Sequence, residues 1–171
     1  MKKRPLILLI VLLVLIGLIG LYMFGGFNDI EIGEEDLGEI ALVGIHYRGT
    51  PQDPELKKAF EKMENLANTN AEAFLNTIYY VEPAGKLDTM EVFVGLEKKW
   101  APEETDLIEK NFDGSQAIIA NIQSHRFVMP GPKRVQNKIR QYAEEKGLPL
   151  PETYIDQIFS PSKVRVIGLQ N

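Results

Sequence analysis

The sequence predicts an α+β fold, in which one curved antiparallel sheet carries helices on one face and follows an N-terminal transmembrane helix. Three observations predict it. Residues 6–24 form a charge-free apolar run, the order strand, helix, strand, strand then occurs twice, and each predicted helix has one apolar stripe that must be buried against a sheet. The strands joined as hairpins within each unit must be antiparallel. The two units, residues 39–97 and 115–171, are expected to form one pseudo-symmetric domain over residues 39–171, with a cleft between its halves.

The apolar run at the N-terminus has the length of a membrane span. Residues 6–24 contain no charged side chain and, at ~1.5 Å per helical residue, extend about 28 Å, close to the ~30 Å hydrocarbon core. A cleaved signal peptide is the alternative, but its apolar region has roughly 7–15 residues and ends at small side chains. Here the run continues into Tyr22 and Phe24, which suit the membrane interface. We expect an uncleaved anchor over residues 1–25 that contacts the lipid bilayer through residues 6–24.

The charges on the two sides of this run predict its orientation. Lys2, Lys3 and Arg4 precede it, whereas the first charged residue after it is the acid Asp29, with more acids close behind. Because basic flanks stay on the cytoplasmic side, we expect a cytoplasmic N-terminus and an extracytoplasmic domain, which in a diderm bacterium is periplasmic. Residues 26–38 are acidic and Gly-rich, and are predicted to be a tether with at most one short strand.

The first unit is predicted from side-chain alternation and from helix-start signals. Residues 39–48 alternate between two faces as a strand does. Asp53 then offers an N-cap acceptor and Pro54 a first helical residue. Apolar side chains follow at the three- and four-residue spacing of a helix stripe. They are Leu56, Ala59, Phe60, Met63, Leu66 and Ala67. Residues 77–81 and 89–96 are the two strands that complete this unit.

The second unit repeats this order. Residues 116–124 are a predicted strand, Pro132 opens a helix, and Gly147 ends it in the manner of a glycine beyond the last helical turn. Two more strands complete the unit, over residues 153–159 and 163–169. Residues 100–111 join the two units and are predicted to be a bridge in which Pro102 begins a short helix.

Composition disfavours several functions. Of the 19 basic residues, 16 follow the N-terminal cluster, against all 24 acidic ones, so the rest of the 171-residue chain carries a net charge of −8. Such a surface repels phosphate backbones, and no nucleic-acid partner is expected. The absence of cysteine removes disulfides and cysteine–zinc sites. His46 and His125 lack metal-ligand spacing, and neither a phosphate-binding glycine loop nor a serine-hydrolase elbow is present. No metal and no cofactor are predicted.

Four short motifs follow the order in which one known family has them. They are Tyr47-Arg48-Gly49, Ile78-Tyr79-Tyr80-Val81-Glu82-Pro83 (I-Y-Y-x-x-P), His125 with Gly131-Pro132, and Glu152-Thr153-Tyr154 (E-x-Y). Over residues 39–169 the chain resembles the GyrI-like domain, which is also the effector-binding half of multidrug-responsive transcription activators. Members of this family usually end the last strand with a proline, and Val166-Ile167-Gly168 stands in that place here. The resemblance implies the fold, a ligand pocket and, as in members that hydrolyse cyclopropane-bearing toxins, a reaction.

The resemblance and the residue types together predict ligand-binding residues in the cleft. By its match to E-x-Y, Glu152 is the acidic candidate, which once desolvated would bind an organic cation or donate a proton; a solvated glutamate is the alternative. The aromatic candidates have faces that favour flat or cationic ligands, and core packing is their alternative. They are Tyr79, Tyr80, Phe93, Trp100 and Tyr154. Alternation places Tyr79 and Tyr80 on opposite faces, so one of them is expected in the core.

These observations favour a binding protein over an enzyme and leave catalysis open. The leading hypothesis is a membrane-tethered domain that holds an apolar or cationic small molecule in the cleft. One alternative is a hydrolase of strained electrophilic toxins, in which Glu152 activates water. The other is a protein–protein adaptor, and a cleft filled by the domain's own side chains would favour it.

Overall fold

The order of helices and strands confirms the predicted α+β fold. The computed structural model of the chain describes residues 3–23, 29–101, 106–125 and 127–170, and the elements below lie in these ranges. The helices are α1 (Lys3–Met23), α2 (Pro54–Ala67) and α3 (Pro132–Lys146). The strands are β1 (Glu31–Glu35), β2 (Glu39–Gly49), β3 (Leu75–Val81), β4 (Met90–Glu97), β5 (Ile108–Asp113), β6 (Ala117–Gln123), β7 (Thr153–Ser160) and β8 (Lys163–Leu169).

The strands form one antiparallel sheet that curves into a half-barrel, in the order β1-β6-β8-β7-β3-β4-β2-β5. The units β2-α2-β3-β4 and β6-α3-β7-β8 reproduce the predicted duplication, and they join where β3 pairs with β7. Strand β1 is the short strand allowed for in the predicted tether. The predicted bridge over residues 100–111 also contains the start of β5, a strand that the sequence did not indicate, because Ile108 and Phe112 are too few apolar residues to show its alternation. The helix predicted from Pro102 lies outside the described residues.

Each of the two edge strands pairs with the half of the domain that lies farther from it along the chain. Strand β1 precedes the first unit in the chain but pairs with β6 of the second, whereas β5 precedes the second unit and pairs with β2 of the first. The two connections meet, since the Leu37 amide donates to the Gly114 carbonyl at 2.9 Å and the Gly114 amide to the Gly38 carbonyl at 2.7 Å. Gly38 has φ +61°, a conformation that favours glycine. Each half therefore depends on the other for one of its strands.

Both helix starts and the end of α3 form as predicted. The Asp53 carboxylate accepts a hydrogen bond from the Glu55 amide at 2.9 Å, and Pro54 is the first residue of α2. Gly131 and Pro132 begin α3, and Gly147 ends it in the left-handed conformation, with φ +69°. These local signals confirm the boundaries of the two helices that pack on the sheet.

Helices α2 and α3 lie on the same face of the sheet, which we call the helix face. Met63 of α2 packs against Val94 and Leu96 of β4, and Ile139 of α3 packs against Ile118 and other residues of β6 and β8. The predicted stripe of α2 is buried only along its centre. Its buried members are Ala59, Met63 and Ala67, whereas Leu56, Phe60 and Leu66 are partly buried.

The opposite face of the sheet has a core of its own. Phe93 and Ile78 meet Ile155 and Ile167 there, all but fully buried, and together they connect β4 and β3 with β7 and β8. Leu37 and Phe112, from the two exchanged regions of chain, pack against this cluster. The sheet therefore has buried apolar clusters on both of its faces.

Helix α1 covers most of the run from which an anchor is predicted. Its described large apolar side chains are exposed, as shown by Leu8 at 69% and Leu18 at 48%. In the described part of the chain, no helix meets the length and hydropathy required of a membrane span. Residues 24–28, where the predicted anchor ends and the tether begins, lie outside the described residues.

We expect the two halves to fold only together. A fragment of residues 39–100 contains β2, α2, β3 and β4, but it loses β5 beside β2 and β7 beside β3. Three strands and one helix bury too little apolar surface for a stable core. Urea denaturation followed by circular dichroism should show a cooperative transition for the full chain and none for the fragment. A cooperative transition of the isolated fragment would show that the halves are separable.

Candidate functional site

The centre of the helix face lies between the two helices. Helix α2 contacts β2, β3 and β4, and α3 contacts β6 and β8, so the facing sides of β3 and β7 lie between them. At this junction Thr77 of β3 is opposite Asp156 of β7. We call this region, with Tyr79, Glu82, Tyr154 and Asp156, the inter-helix groove. It lies at the junction of the two halves, where the duplicated sequence predicts a cleft.

Asp156 is the acidic group at the base of the inter-helix groove. Its neighbours Ile155 and Gln157 are buried on the opposite face, which places its own side chain on the helix face, opposite Val166 of β8. Burial, with a smaller contribution from the Glu82 carboxylate, raises the pKa of Asp156 to about 6. None of the ion pairs formed among the described residues includes Asp156. At neutral pH the groove therefore holds a partly desolvated negative charge without a basic partner.

Tyr79 and Glu82 come from the end of β3 and face this carboxyl. The Tyr79 side chain is 37% exposed, and burial together with the charges of Asp156 and Glu82 raises its pKa, which keeps the phenol protonated. The Glu82 carboxylate accepts a hydrogen bond from the Gln136 amide of α3 at 3.3 Å. Two carboxyls and one phenol are thus within electrostatic reach of one another, an arrangement that attracts positive charge.

Tyr154 lies two residues before Asp156 and shares its face of β7. It packs against the apolar cluster beneath α3. Its hydroxyl accepts a hydrogen bond from Arg140 Nε at 3.1 Å. Tyr79 and Tyr154 therefore provide aromatic surface on the helix-face sides of two adjacent strands, with the carboxyl of Asp156 on the same face.

The structure separates the other predicted ligand-binding residues. Glu152 is exposed before β7, where its amide donates to the Leu169 carbonyl at 3.0 Å. Tyr80 lies on the face opposite Tyr79, with its ring centroid 5.5 Å from that of His46. Phe93 is completely buried in the core. Trp100, in a short 3-10 turn, packs beside α2. Only Tyr79 and Tyr154 of the six lie with Asp156 in the groove.

Asp156 and Glu82 are the acids that the sequence reasoning did not select. Asp156 lies at the i+2 position from Tyr154 in an alternating strand, so any face that carries Tyr154 also carries Asp156. Glu82 belongs to the I-Y-Y-x-x-P match itself. Extending the E-x-Y match by one step of strand alternation would have found Asp156, whereas Glu82 could have been selected within its own motif. Among the described residues, no three His, Cys, Asp or Glu side chains are grouped as a metal ion requires.

Comparison with known proteins identifies the fold. No protein-family model matches the chain, and no curated protein matches it by sequence. A hydrolase from Listeria innocua is similar with a TM-score of 0.60 at 10% identity, over 87% of this chain and 97% of its own. A further solved structure of a hydrolase from Listeria innocua has a TM-score of 0.55 at 10% identity, over 81% of this chain and 90% of its own. The EcmrR C-terminal domain has a TM-score of 0.53 at 10% identity, over 82% and 96%. At these identities the similarity establishes the fold, and the chain has the fold of GyrI-like domains.

Proposed function

We propose that the chain binds a small organic cation in the inter-helix groove. The carboxyl of Asp156 carries this proposal, because it is partly buried and has no basic partner among the described residues. A carboxylate in this position is stabilised by a cation that enters the groove. The fold, which is similar to that of the EcmrR C-terminal domain, is consistent with small-molecule binding and supports the proposal.

Charge attraction and cation–π attraction both favour a cation over a neutral ligand in the groove. Two unit charges at 4 Å attract by ~4 kcal/mol at an effective dielectric constant of 20, before desolvation is subtracted. The faces of Tyr79 and Tyr154 would add ~0.5–2 kcal/mol by cation–π attraction. A neutral ligand of the same shape retains only the apolar contacts, so the ionised carboxyl of Asp156 determines the preference.

Paired dyes of similar shape, one cationic and one neutral, test this function. The full chain is reconstituted in nanodiscs of zwitterionic lipid, and empty discs are the blank. Asp156→Asn should lower the affinity for the cationic dye about 10–100-fold and leave the affinity for the neutral dye within about twofold.

The pH dependence of binding gives a separate test. For the unsubstituted chain, affinity for the cationic dye should fall about tenfold per pH unit below pH 6, as Asp156 becomes protonated. The same substitution, Asp156→Asn, should remove this pH dependence.

Glu152→Gln is the matched control, because it also converts an acid to its amide but at an exposed position before β7. We expect it to bind both dyes as the unsubstituted chain does. Selective loss of the cationic dye in Glu152→Gln, with no loss in Asp156→Asn, would assign the site to the residue that the sequence motif selects. Failure of the unsubstituted chain to bind either dye would favour the adaptor.

We also propose that α1 tethers this binding domain to a membrane, with the domain extracytoplasmic. Support comes from the exposed apolar side chains of α1 and from the charge difference between Lys2, Lys3 and Arg4 before the run and the acids after it. Protease added to bacterial spheroplasts that express the chain should digest it beyond residue 38. Digestion that occurs only after the cells are disrupted would reverse the orientation, and chain released by alkaline washing would exclude the anchor.

A hydrolase is the second candidate function. Asp156 favours it, because an acid with a pKa of about 6 is suited to proton transfer near neutral pH. Two solved structures with a similar fold are of hydrolases from Listeria innocua by their titles. In that case Asp156 would protonate or activate a group on a strained electrophile held against Tyr79. Turnover of a cyclopropane-bearing electrophile that is lost in Asp156→Asn, at ligand concentrations that saturate the site, would establish this function.

A further inference from the structure

A pocket lies on the face of the sheet opposite the helices, on the other side of the sheet from the inter-helix groove. It has a volume of about 160 Å³. Apolar walls come from Ile40, Phe74 and Ile167, while Gln157 and Arg165 provide polar groups, and Glu97 stands at the edge. Gln157 is 5% exposed. A nearly buried polar side chain in such a wall requires a partner, because burial without one is unfavourable.

The orientation of the Gln157 amide is set by two hydrogen bonds in series. Its Nε2 donates to Asn76 Oδ1 at 3.0 Å, and Asn76 Nδ2 donates to the Phe74 carbonyl at 3.2 Å. Rotating the Gln157 amide alone would place its oxygen against Asn76 Oδ1, and rotating both amides would place Asn76 Oδ1 against the Phe74 carbonyl. The series therefore leaves Gln157 Oε1 as a buried acceptor, and this atom has no partner in the described structure.

Arg165 presents the complementary group beside it. Its Nε is buried and also has no hydrogen-bond partner in the described part of the chain. Arg165 is directly opposite Gln157 in the pairing of β7 with β8, so their side chains leave the same face as close neighbours. The guanidinium stands over the Phe159 ring, with Cζ 5.5 Å from the centroid. One buried N–H donor and one buried oxygen acceptor thus come from directly opposed residues on one face of the sheet, and neither has a hydrogen-bond partner in the described part of the chain.

We propose that this pocket binds a small planar amide, either a primary carboxamide or a lactam. The carbonyl of the amide accepts a hydrogen bond from Arg165 Nε, and its N–H donates to Gln157 Oε1. The apolar part of the ligand packs against Phe74 and Ile167. The pocket has room for the aromatic ring of such a ligand, because a cavity of about 150 Å³ accommodates benzene. A carboxylate would pair with Arg165 but would oppose Gln157 Oε1 and the carboxyl of Glu97, and an ammonium ion would oppose Arg165. A neutral group with adjacent donor and acceptor satisfies both buried atoms.

Three fluorinated probes of nearly equal shape test the proposal on the unsubstituted chain. They are 4-fluorobenzamide, 4-fluoroacetophenone, which has a methyl group in place of the amide nitrogen, and 4-fluorobenzoate. Binding to the full chain in nanodiscs is measured by fluorine NMR of the probe, with empty discs as the blank. We expect the benzamide to bind about tenfold more tightly than either analogue, because each analogue leaves Gln157 Oε1 unpaired. Benzoate binding as tightly as benzamide would indicate an anion site and overturn the proposal. Equally weak binding of all three probes would indicate that water, and not an amide, pairs with Gln157 Oε1 and Arg165 Nε. This result would also overturn the proposal.

Two substitutions locate the binding in this pocket. Gln157→Leu removes the acceptor and Arg165→Met removes the donor, and each should reduce benzamide affinity about tenfold toward that of the acetophenone. Gln141→Leu and Arg48→Met make the same chemical changes at exposed positions and should not alter it. Benzamide binding that survives both pocket substitutions in folded protein would place the probe elsewhere and overturn the assignment. Should either pocket variant unfold, the comparison among the three probes still decides the proposal.

Discussion

Phe93→Ala is expected to lower the free energy of unfolding by ~3–5 kcal/mol, the range for removing a buried aromatic side chain. Phe93 is completely buried and packs with residues of β3, β6, β7 and β8 on the face opposite the helices. The cavity left by its ring would lie where strands from both halves meet. Urea denaturation of the full chain in nanodiscs, followed by circular dichroism, measures the change in midpoint and slope. Any loss of dye binding in this variant should follow the fraction unfolded.

Phe60→Ala is the matched control, since it removes the same side chain from the apolar stripe of α2. Phe60 is only partly buried, so less apolar surface returns to water, and we expect a clearly smaller loss of stability. Phe93→Ala protein that remains fully folded but no longer binds the dyes would instead identify Phe93 as a ligand-binding residue, as the sequence predicts.

Asp156→Asn is expected to stabilise the fold at neutral pH while it weakens cation binding. Burial raises the pKa of Asp156 from 3.8 to about 6 in the folded chain. Between these values the unfolded chain is ionised and the folded chain keeps its proton, so the contribution of Asp156 to stability falls as pH rises from about 4 to 6. Above pH 6 a penalty of roughly 1–3 kcal/mol remains, at 1.36 kcal/mol per unit of pKa and allowing for partial exposure. The asparagine variant lacks this penalty.

The difference in unfolding free energy between Asp156→Asn and the unsubstituted chain should therefore be near zero at pH 4 and reach its full value by pH 7. Using the difference removes the contributions of the other titrating groups. Glu152→Gln, at an exposed position, should not show the same rise. An Asp156→Asn variant that is less stable at pH 7 would mean that the carboxylate has a stabilising partner. Such a trade of stability for a charged binding group is common in functional sites.

Local residue patterns were sufficient to predict most of the individual elements. Asp53 and Pro54 define the start of α2, and Gly147 defines the end of α3. These signals are reliable because a cap involves only a few neighbouring residues. Strand alternation and the repeated order of elements likewise predicted a duplicated antiparallel sheet with both helices on one face. That sheet is confirmed.

The exchange of edge strands could not be predicted in the same way. Glu31 pairs with Asn121, 90 residues later in the chain, and β5 returns to β2 across the first unit. Both edge strands have few apolar residues, so their sequences resemble connecting segments. Their pairing depends on which backbone edge the rest of the sheet leaves free, and that is determined only when both units are assembled.

The identity of the acid in the inter-helix groove also depends on how the strands pair. Alternation divides β7 into two sets of side chains, but it does not say which set faces the helices. The pairing of β7 with β3 and β8 places Asp156 on the helix face and buries Ile155 and Gln157 on the other. Glu152, which the motif selected, lies before this pairing begins and stays exposed. The sequence by itself determined the two packed helices, the six strands of the repeated units and their order, and it suggested an acidic, aromatic site. The tertiary structure decided which carboxyl is desolvated, because desolvation depends on neighbours that come together only in the folded sheet.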